Sequence, residues 1–219
     1  MRADLPEVII HNSVSLNNSL TNFDVNLGLH YELAKKFKPD AHLIGSNTIK
    51  EGAKNYPISK ESKNDFFKPK RSKDLPYWVI VDTKGVLKGL LHTCRSFELC
   101  KDVIVLVSKK TPIKYIDYLK ERDYDYHFLG DDHVDLKKAL IFLKKKYKIN
   151  KVMTDTGAIL SNLLINQGLA NKLSLLVHPV LAKKVYNIFS FINKDFKLKL
   201  IKKDLFEKNY LHLIYSLDK

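Results

Sequence analysis

The sequence predicts an α/β fold, a mixed and mostly parallel sheet with helices on both faces and a C-terminal antiparallel hairpin. Apolar runs of strand length recur and are continuous rather than alternating, which is how strands buried on both faces read. Segments with helical spacing stand between them, so strand and helix alternate along the chain. After Leu181 the pattern changes to alternation of apolar and polar residues, the mark of strands with one solvated face.

In chain order the expected strands are Glu7–Leu16 ("EVIIHNSVSL"), Ala41–Ser46, Tyr77–Asp82, Asp102–Ser108, Lys151–Asp155 and Leu173–Leu181, all rich in Val, Ile and Leu. Helices are expected over Asn26–Lys38, Pro112–Asp123, Val134–Tyr147 and Ala158–Gln167. In the third of these, Leu136, Leu140, Leu143 and Tyr147 share one face, with lysines on the other. The terminal hairpin opens with Phe196, Leu198 and Leu200, turns through charged residues, and returns over Tyr210 to Leu217 on the edge of the sheet. Residues 50–75, with Pro57, Pro69 and many charges, form the longest irregular stretch, and such a loop in a compact domain is either mobile or lines a site. No internal repeat and no linker divides the chain, so residues 1–219 are expected to form one domain.

A chain of 219 residues with 45% apolar and 28% charged residues is long enough for one core and too apolar for a disordered tail. No apolar run approaches a membrane span, and the opening "MRADLPEVII" lacks the layout of a signal peptide, so a cytoplasmic location without membrane contact is expected. Cys94 and Cys100 have no Cys or His partners at zinc-finger spacing and read as buried thiols; no metal is expected. The net charge of +14 suits an anionic partner. Nucleic acid is disfavoured as that partner, because base-edge readers lean on bidentate arginine and only Arg2, Arg71, Arg95 and Arg122 supply it here.

Two strand-to-helix turns carry the chemistry. In "KVMTDTGAIL" the strand meets Asp155, Thr156, Gly157 and Ala158 before helical spacing resumes. Gly157 permits close approach, and the first N–H groups of the helix with its positive dipole end make a seat for a phosphate. The same residues also suit an ordinary turn, and the two readings stay open on this motif alone. After Ala41–Ile44 stands "GSNT", where Gly45, Ser46 and Thr48 meet a nucleotide or Thr48 caps the segment after it. Ligands of open α/β sheets bind at the carboxyl ends of strands, so two such turns weigh more than one. The GxGxxG fingerprint is absent, which disfavours a standard dinucleotide fold.

The segments "VIIHNSVSLNNSL", "LHYELAKKFKPDAHLIGSNTIKEG", "YWVIVDTKG" and "KVMTDTGAILSNLLINQGLANKLSLLVHPVL" together resemble the reductase of riboflavin biosynthesis, which also occurs as the C-terminal domain of a bifunctional deaminase-reductase and has a dihydrofolate-reductase-like fold. The resemblance runs from about Val8 to Leu181 and is most specific in its last segment. It implies NADPH as cofactor, a phosphorylated pyrimidine as small-molecule substrate and a homodimer. Thr156, Gly157, Ala158, Ile159 and Leu160 would hold the cofactor's pyrophosphate. Ser13, Gly45, Ser46, Thr48 and Gly52 match further cofactor positions. Thr83 falls at the adenosine end, with Lys84 and Ser108 as neighbours of the 2′-phosphate. Lys36 and Asp155 would contact substrate. Read as ordinary structure, Lys36 is a surface lysine, Ser13 packs in a strand and Thr83 forms a turn.

The chain also departs from that family. Where the first strand commonly ends in Ser-Leu-Asp-Gly, this one has Ser15-Leu16-Asn17-Asn18, and an amide cannot act as a carboxylic acid. The loop "IKEGAKNYPIS" lacks the paired aspartates and arginine, and the phosphate turn has one glycine. Asn12, Ser15 and Asn17 cluster at one strand end and are taken as the catalytic group, which orients substrate by hydrogen bonds. The implied reaction is hydride delivery to C1 of a ring-opened ribosylamine on a diaminopyrimidinone phosphate, giving the ribityl chain, by a stand-alone reductase. Alternatives are another NADPH-dependent reductase with a pterin-like substrate on the same fold, or a non-catalytic nucleotide-binding protein.

Overall fold

The continuous apolar runs lie side by side in parallel, as strands without a polar face must if both faces are to be covered. A computed structural model of the protein describes residues 4–54, 60–207 and 209–217. Its chain divides into two units, one built mainly from Asp40–Asn150 and the other from Glu7–Pro39 and Lys151–Lys219. Among the described residues no helix is long and apolar enough to cross a membrane.

The first unit holds β2 (Ala41–Gly45), α2 (Ser46–Ala53), β3 (Tyr77–Val81), α3 (Leu91–Ser96), β4 (Val103–Val107), α4 (Ile113–Glu121), β5 (Asp125–Phe128) and α5 (Leu136–Tyr147). Its strands run parallel in the order β5-β4-β3-β2. Ile80, Val103, Val105 and Val107 from the sheet pack with Leu91, Cys94, Tyr115, Ile116 and Leu119 from α3 and α4. Burial pushes the Cys94 thiol up to about 12 and raises Cys100 as well, so both behave as inert apolar side chains. Asp135 caps α5 by accepting from Lys138 N at 3.0 Å, and Lys144, Lys145 and Lys146 in the last turn complement the helix dipole.

Buried Arg95 ties this unit together. Its guanidinium pairs with Asp102 at 3.0 Å, donates to the carbonyls of Asp65, Arg122 and Asp123, and lies 3.7 Å from the centroid of the Tyr124 ring. Arg122 adds a bidentate pair to Glu61 at 2.9 Å. The stretch expected to be irregular is thus partly ordered: α2 covers its start, a 3-10 turn spans Lys63–Phe66, and the two arginines anchor residues 61–67. Pro57 and the rest of residues 55–59 lie outside the described residues.

The second unit holds β1 (Glu7–Ser15), α1 (Leu27–Lys36), β6 (Lys151–Thr154), α6 (Ala158–Asn166), β7 (Lys172–His178), β8 (Leu198–Phe206) and β9 (Tyr210–Leu217). Here β6, β1 and β7 are parallel, and β9 adds to β7 antiparallel with β8 outside it. The expected C-terminal hairpin is therefore present. Asn26 starts α1 by accepting from Leu29 N at 3.0 Å, and its own N–H donates to His178 Nε2 at 3.0 Å, which ties the helix entry to β7. The buried stripe of α1 packs Leu29 and Leu33 against Leu176, and Ala34 against Ile9 and Met153.

Most strand limits differ from expectation by a residue or two at each end, as fraying predicts, but β7 ends at His178 rather than Leu181, because Pro179 has no N–H for the ladder. Three elements escaped the periodicity: α2, α3 and β5. All are short, and β5 is mostly half-buried at an edge, so none carries a full apolar stripe.

Candidate functional site

Residues alternate across a strand, so β1 presents Ile9, His11, Ser13 and Ser15 to one face and Val8, Ile10, Asn12 and Val14 to the other. The first of these faces meets α1. His11 Nε2 lies 3.1 Å from the His30 carbonyl and its Nδ1 lies 2.9 Å from Ser174 Oγ. Ser174 Oγ is in turn 2.8 Å from His212 Nε2. A carbonyl only accepts, so His11 carries its proton on Nε2 and Nδ1 accepts from the Ser174 hydroxyl. That hydroxyl then accepts from His212 Nε2–H. Burial, with His30 and His212 close by, pushes His11 down to about 3, so the ring is neutral and the chain of donors is consistent. Burial likewise lowers His212.

Ser13 Oγ lies 3.0 Å from His30 Nδ1, and the other ring nitrogen of His30, Nε2, faces Asp155 Oδ2 at 3.8 Å. A carboxylate accepts and cannot donate, so Nε2–H faces Asp155 and the Ser13 hydroxyl donates to Nδ1. The His30 side chain is 8% exposed and that of Asp155 22%, which places the carboxylate in reach of a ligand and the imidazole behind it. The sequence offered Lys36 as the contribution of α1 to a substrate. The structure engages Lys36 with Glu32 at 2.8 Å and above the Phe206 ring, and the α1 residue beside Asp155 is His30.

On the other face of β1, Asn12 Nδ2 donates to the Thr156 carbonyl at 3.2 Å. Its Oδ1, and the hydroxyl of Thr154 at the end of β6, are buried without a hydrogen-bond partner among the described residues. Leaving such groups unpaired costs about 1–3 kcal/mol each, so this strand end has hydrogen-bonding capacity that the described residues do not use. Gly157 is the N-cap of α6, no side chain caps that helix, and the place of a Cβ on Gly157 is open, with nothing within 4 Å. Its φ of −65° is ordinary, so the glycine provides space rather than an unusual backbone. Open space, a helix start without a side-chain cap and two unpaired buried polar groups fit a phosphorylated, hydrogen-bonding cofactor. Thr156, Ala158 and Leu160 are buried, while Ile159 is exposed on the first turn of α6.

Ser15 and Asn17 are committed elsewhere. The Ser15 hydroxyl donates to Asn17 Oδ1 at 2.7 Å and accepts from Ser19 N, and Asn17 binds the backbone of Ala182. Asn12 is therefore the member of that trio with an unused acceptor.

In the first unit Gly45 ends β2 and is the N-cap of α2, so Ser46 and Thr48 lie in the first turn of the helix and Thr48 is not its cap. Gly52 sits in the last turn of α2. Thr83 and Ser108 are brought together by Thr111, whose hydroxyl donates to the Thr83 carbonyl at 2.8 Å and accepts from Ser108 N at 3.1 Å. The Ser108 hydroxyl donates to the Asp132 carbonyl at 3.0 Å, and Lys84 is exposed. Sequence reasoning missed His30, His11, Ser174 and His212; for the last three the available signal was a polar residue within a strand, and nothing local set His30 apart in its helix.

The sequence profile of the RibD C-terminal domain matches residues 31–202. A pyrimidine reductase-like protein from Corynebacterium diphtheriae superposes with a TM-score of 0.73 at 16% identity, over 98% of this chain and 92% of its own. RibD of Acinetobacter baumannii gives 0.70 at 17% identity over all of this chain, which spans 59% of that protein. The riboflavin biosynthesis reductase of Saccharomyces cerevisiae gives 0.65 at 19% identity, over 98% of this chain and 91% of its own. No curated protein sequence matches. With a profile covering most of its length and the mixed sheet of those reductases, the chain belongs to the RibD C-terminal domain family, the reductases of riboflavin biosynthesis, and is an oxidoreductase.

Proposed function

We propose that the protein reduces the ribosylamine of a diaminopyrimidinone phosphate to its ribityl form with NADPH. The observation that carries this reading is the end of β6, where a helix start without a side-chain cap, the open space over Gly157 and the unpaired Asn12 Oδ1 and Thr154 Oγ1 meet within a few residues. Thr156 to Leu160 hold the cofactor's pyrophosphate through the backbone and dipole of α6. Asn12 Oδ1 accepts from a ligand amide, and Asp155, partly exposed beside them, contacts the substrate. When bound, the cofactor supplies the hydride, and the chain supplies position and electrostatics.

Gly45, Ser46, Thr48, Gly52, Ser13, Thr83 and Ser108 are further proposed cofactor contacts. For Ser13 and Ser108, whose hydroxyls are occupied by His30 and by the Asp132 carbonyl, the contact falls to the backbone or requires a change of partner. Lys84, exposed after β3, is the proposed partner of the 2′-phosphate. The protein is proposed to be a homodimer.

The test combines thermal shifts with NADPH and NADH and cofactor oxidation with the ribosylaminopyrimidinone phosphate. A ligand that binds only the folded state raises its melting temperature. NADPH should stabilise more than NADH, and oxidation should require the pyrimidinone. Stabilisation by neither cofactor overturns the reading.

A further inference from the structure

His30 stands beside the substrate-facing carboxylate with nothing in the proposed chemistry yet assigned to it. Hydride addition to an imine needs a protonated nitrogen, and Asn17, just after the first strand, has no acidic proton and binds the backbone of Ala182. We propose that His30 is the proton reservoir of the reduction, a positioning residue that delivers its proton to the substrate imine through Asp155. The inference rests on the reading of Asp155 as a substrate contact.

The geometry supports each part of that role. One ring nitrogen, Nδ1, is held by the Ser13 hydroxyl at 3.0 Å, so Nε2 is fixed toward Asp155 Oδ2 at 3.8 Å. That separation is longer than a hydrogen bond, and catalytic contacts commonly tighten only when substrate is bound. The imidazole is shielded and the carboxylate is not, so a proton stored on His30 reaches the substrate by way of Asp155. In balance, the step starts from His30 protonated on both nitrogens, its Nδ1–H donating to the Ser13 hydroxyl oxygen: Nε2 gives its proton to Asp155 as Asp155 gives a proton to the imine nitrogen, and C1 would take the hydride that a bound reduced nicotinamide supplies. The products are the amine, the oxidised nicotinamide, neutral His30 and the Asp155 carboxylate. Water then returns a proton to His30.

Two neutral imidazoles, one aromatic ring and one carboxylate stand around His30. From β1, neutral His11 lies with its ring centroid 4.5 Å from that of His30. From β7, His178 accepts from Asn26 N on Nε2 and is held below its ordinary range by burial, so it too is neutral. On α1 itself Tyr31 sets its ring edge-on to His30. Asp155 is the negative group facing the imidazole within this unit. Among the described residues no group of three or more His, Cys, Asp or Glu is arranged to hold a metal ion.

Two measurements test the inference. Nitrogen NMR of the His30 ring in the wild type and in Asp155→Asn reads the coupling without turnover: loss of the carboxylate should move the Nε2 resonance. An unchanged Nε2 resonance overturns the pair. The second measurement compares pH profiles of single-turnover hydride transfer in the wild type and His30→Gln, with the thermal shift by cofactor as the control for binding. The wild-type rate should fall as pH rises, and His30→Gln should lose about 10²-fold or more near neutrality, lose that limb, and still bind cofactor. An active wild type whose His30→Gln form keeps both rate and profile overturns the inference alone. A wild type that binds cofactor and is inert toward the pyrimidinone overturns it together with the assigned substrate.

Discussion

The side-chain amide of Asn17 grips the backbone of Ala182 from both sides, donating to its carbonyl at 2.9 Å and accepting from its N–H at 3.0 Å. This chain uses the amide as a clamp between the end of β1 and the segment after β7. Asn17→Asp keeps the acceptor and sets a carboxylate against the Ala182 carbonyl; Asn17→Ala loses both bonds. Each variant should lose about 1–3 kcal/mol, seen as a melting temperature lower by several degrees. A melting temperature unchanged in both would remove the clamp.

Buried Ser174 is the hinge of the His11–Ser174–His212 chain. Ser174→Ala strands His11 Nδ1 and His212 Nε2 in the core, at about 1–3 kcal/mol for each group left unpaired. Urea unfolding should show a lower midpoint with an unchanged slope.

Acid should destabilise the fold through the same histidine. His11 has its pKa depressed from 6.5 to about 3, so between those values the unfolded chain binds the proton and the folded chain does not. Stability is therefore complete above about pH 6.5 and falls as pH drops toward 3, by about 1.4 kcal/mol per pH unit for this group. Burial depresses His127 to about 4, which adds in the same direction over a narrower window. Denaturation midpoints measured from pH 7.5 to 4 should fall steadily in the wild type and less steeply in a His127→Gln variant.

Arg95 offers a contrasting case of a buried charge fully occupied by one carboxylate, several carbonyls and an aromatic face. Arg95→Lys keeps the charge and loses the fork, leaving Asp102 and the carbonyls partly unpaired. A loss of about 3–5 kcal/mol is expected by chemical denaturation.

Gly157 separates backbone need from ligand need. Because its φ is ordinary and its Cβ position open, Gly157→Ala should leave the melting temperature within a few degrees of wild type. Gly157→Val should fold and lose the stabilisation by NADPH, since its branches fill the space over the start of α6. Retained stabilisation in the valine variant would move the cofactor away from this turn.

Local periods of apolar residues were enough to specify the alternation of strand and helix, the parallel character of the first strands and the terminal hairpin. The turn at Asp155–Ala158 was legible for the same reason, since a glycine between a strand and a helix is a local feature. Periodicity did not reveal α2, α3 or β5, which are too short to carry a period, nor the clamp of Asn17 on Ala182, whose partner lies far along the chain. The histidines show the division most clearly. His11, Ser174 and His212 lie in three separate strands, and their meaning arises only when β1, β7 and β9 are brought side by side. His30 likewise reads as one helical residue among many until the Asn26 cap sets the rotation of α1 and turns its ring toward Asp155. Burial then settles their roles, because a polar group removed from water must find its partner among residues that only the folded chain brings near.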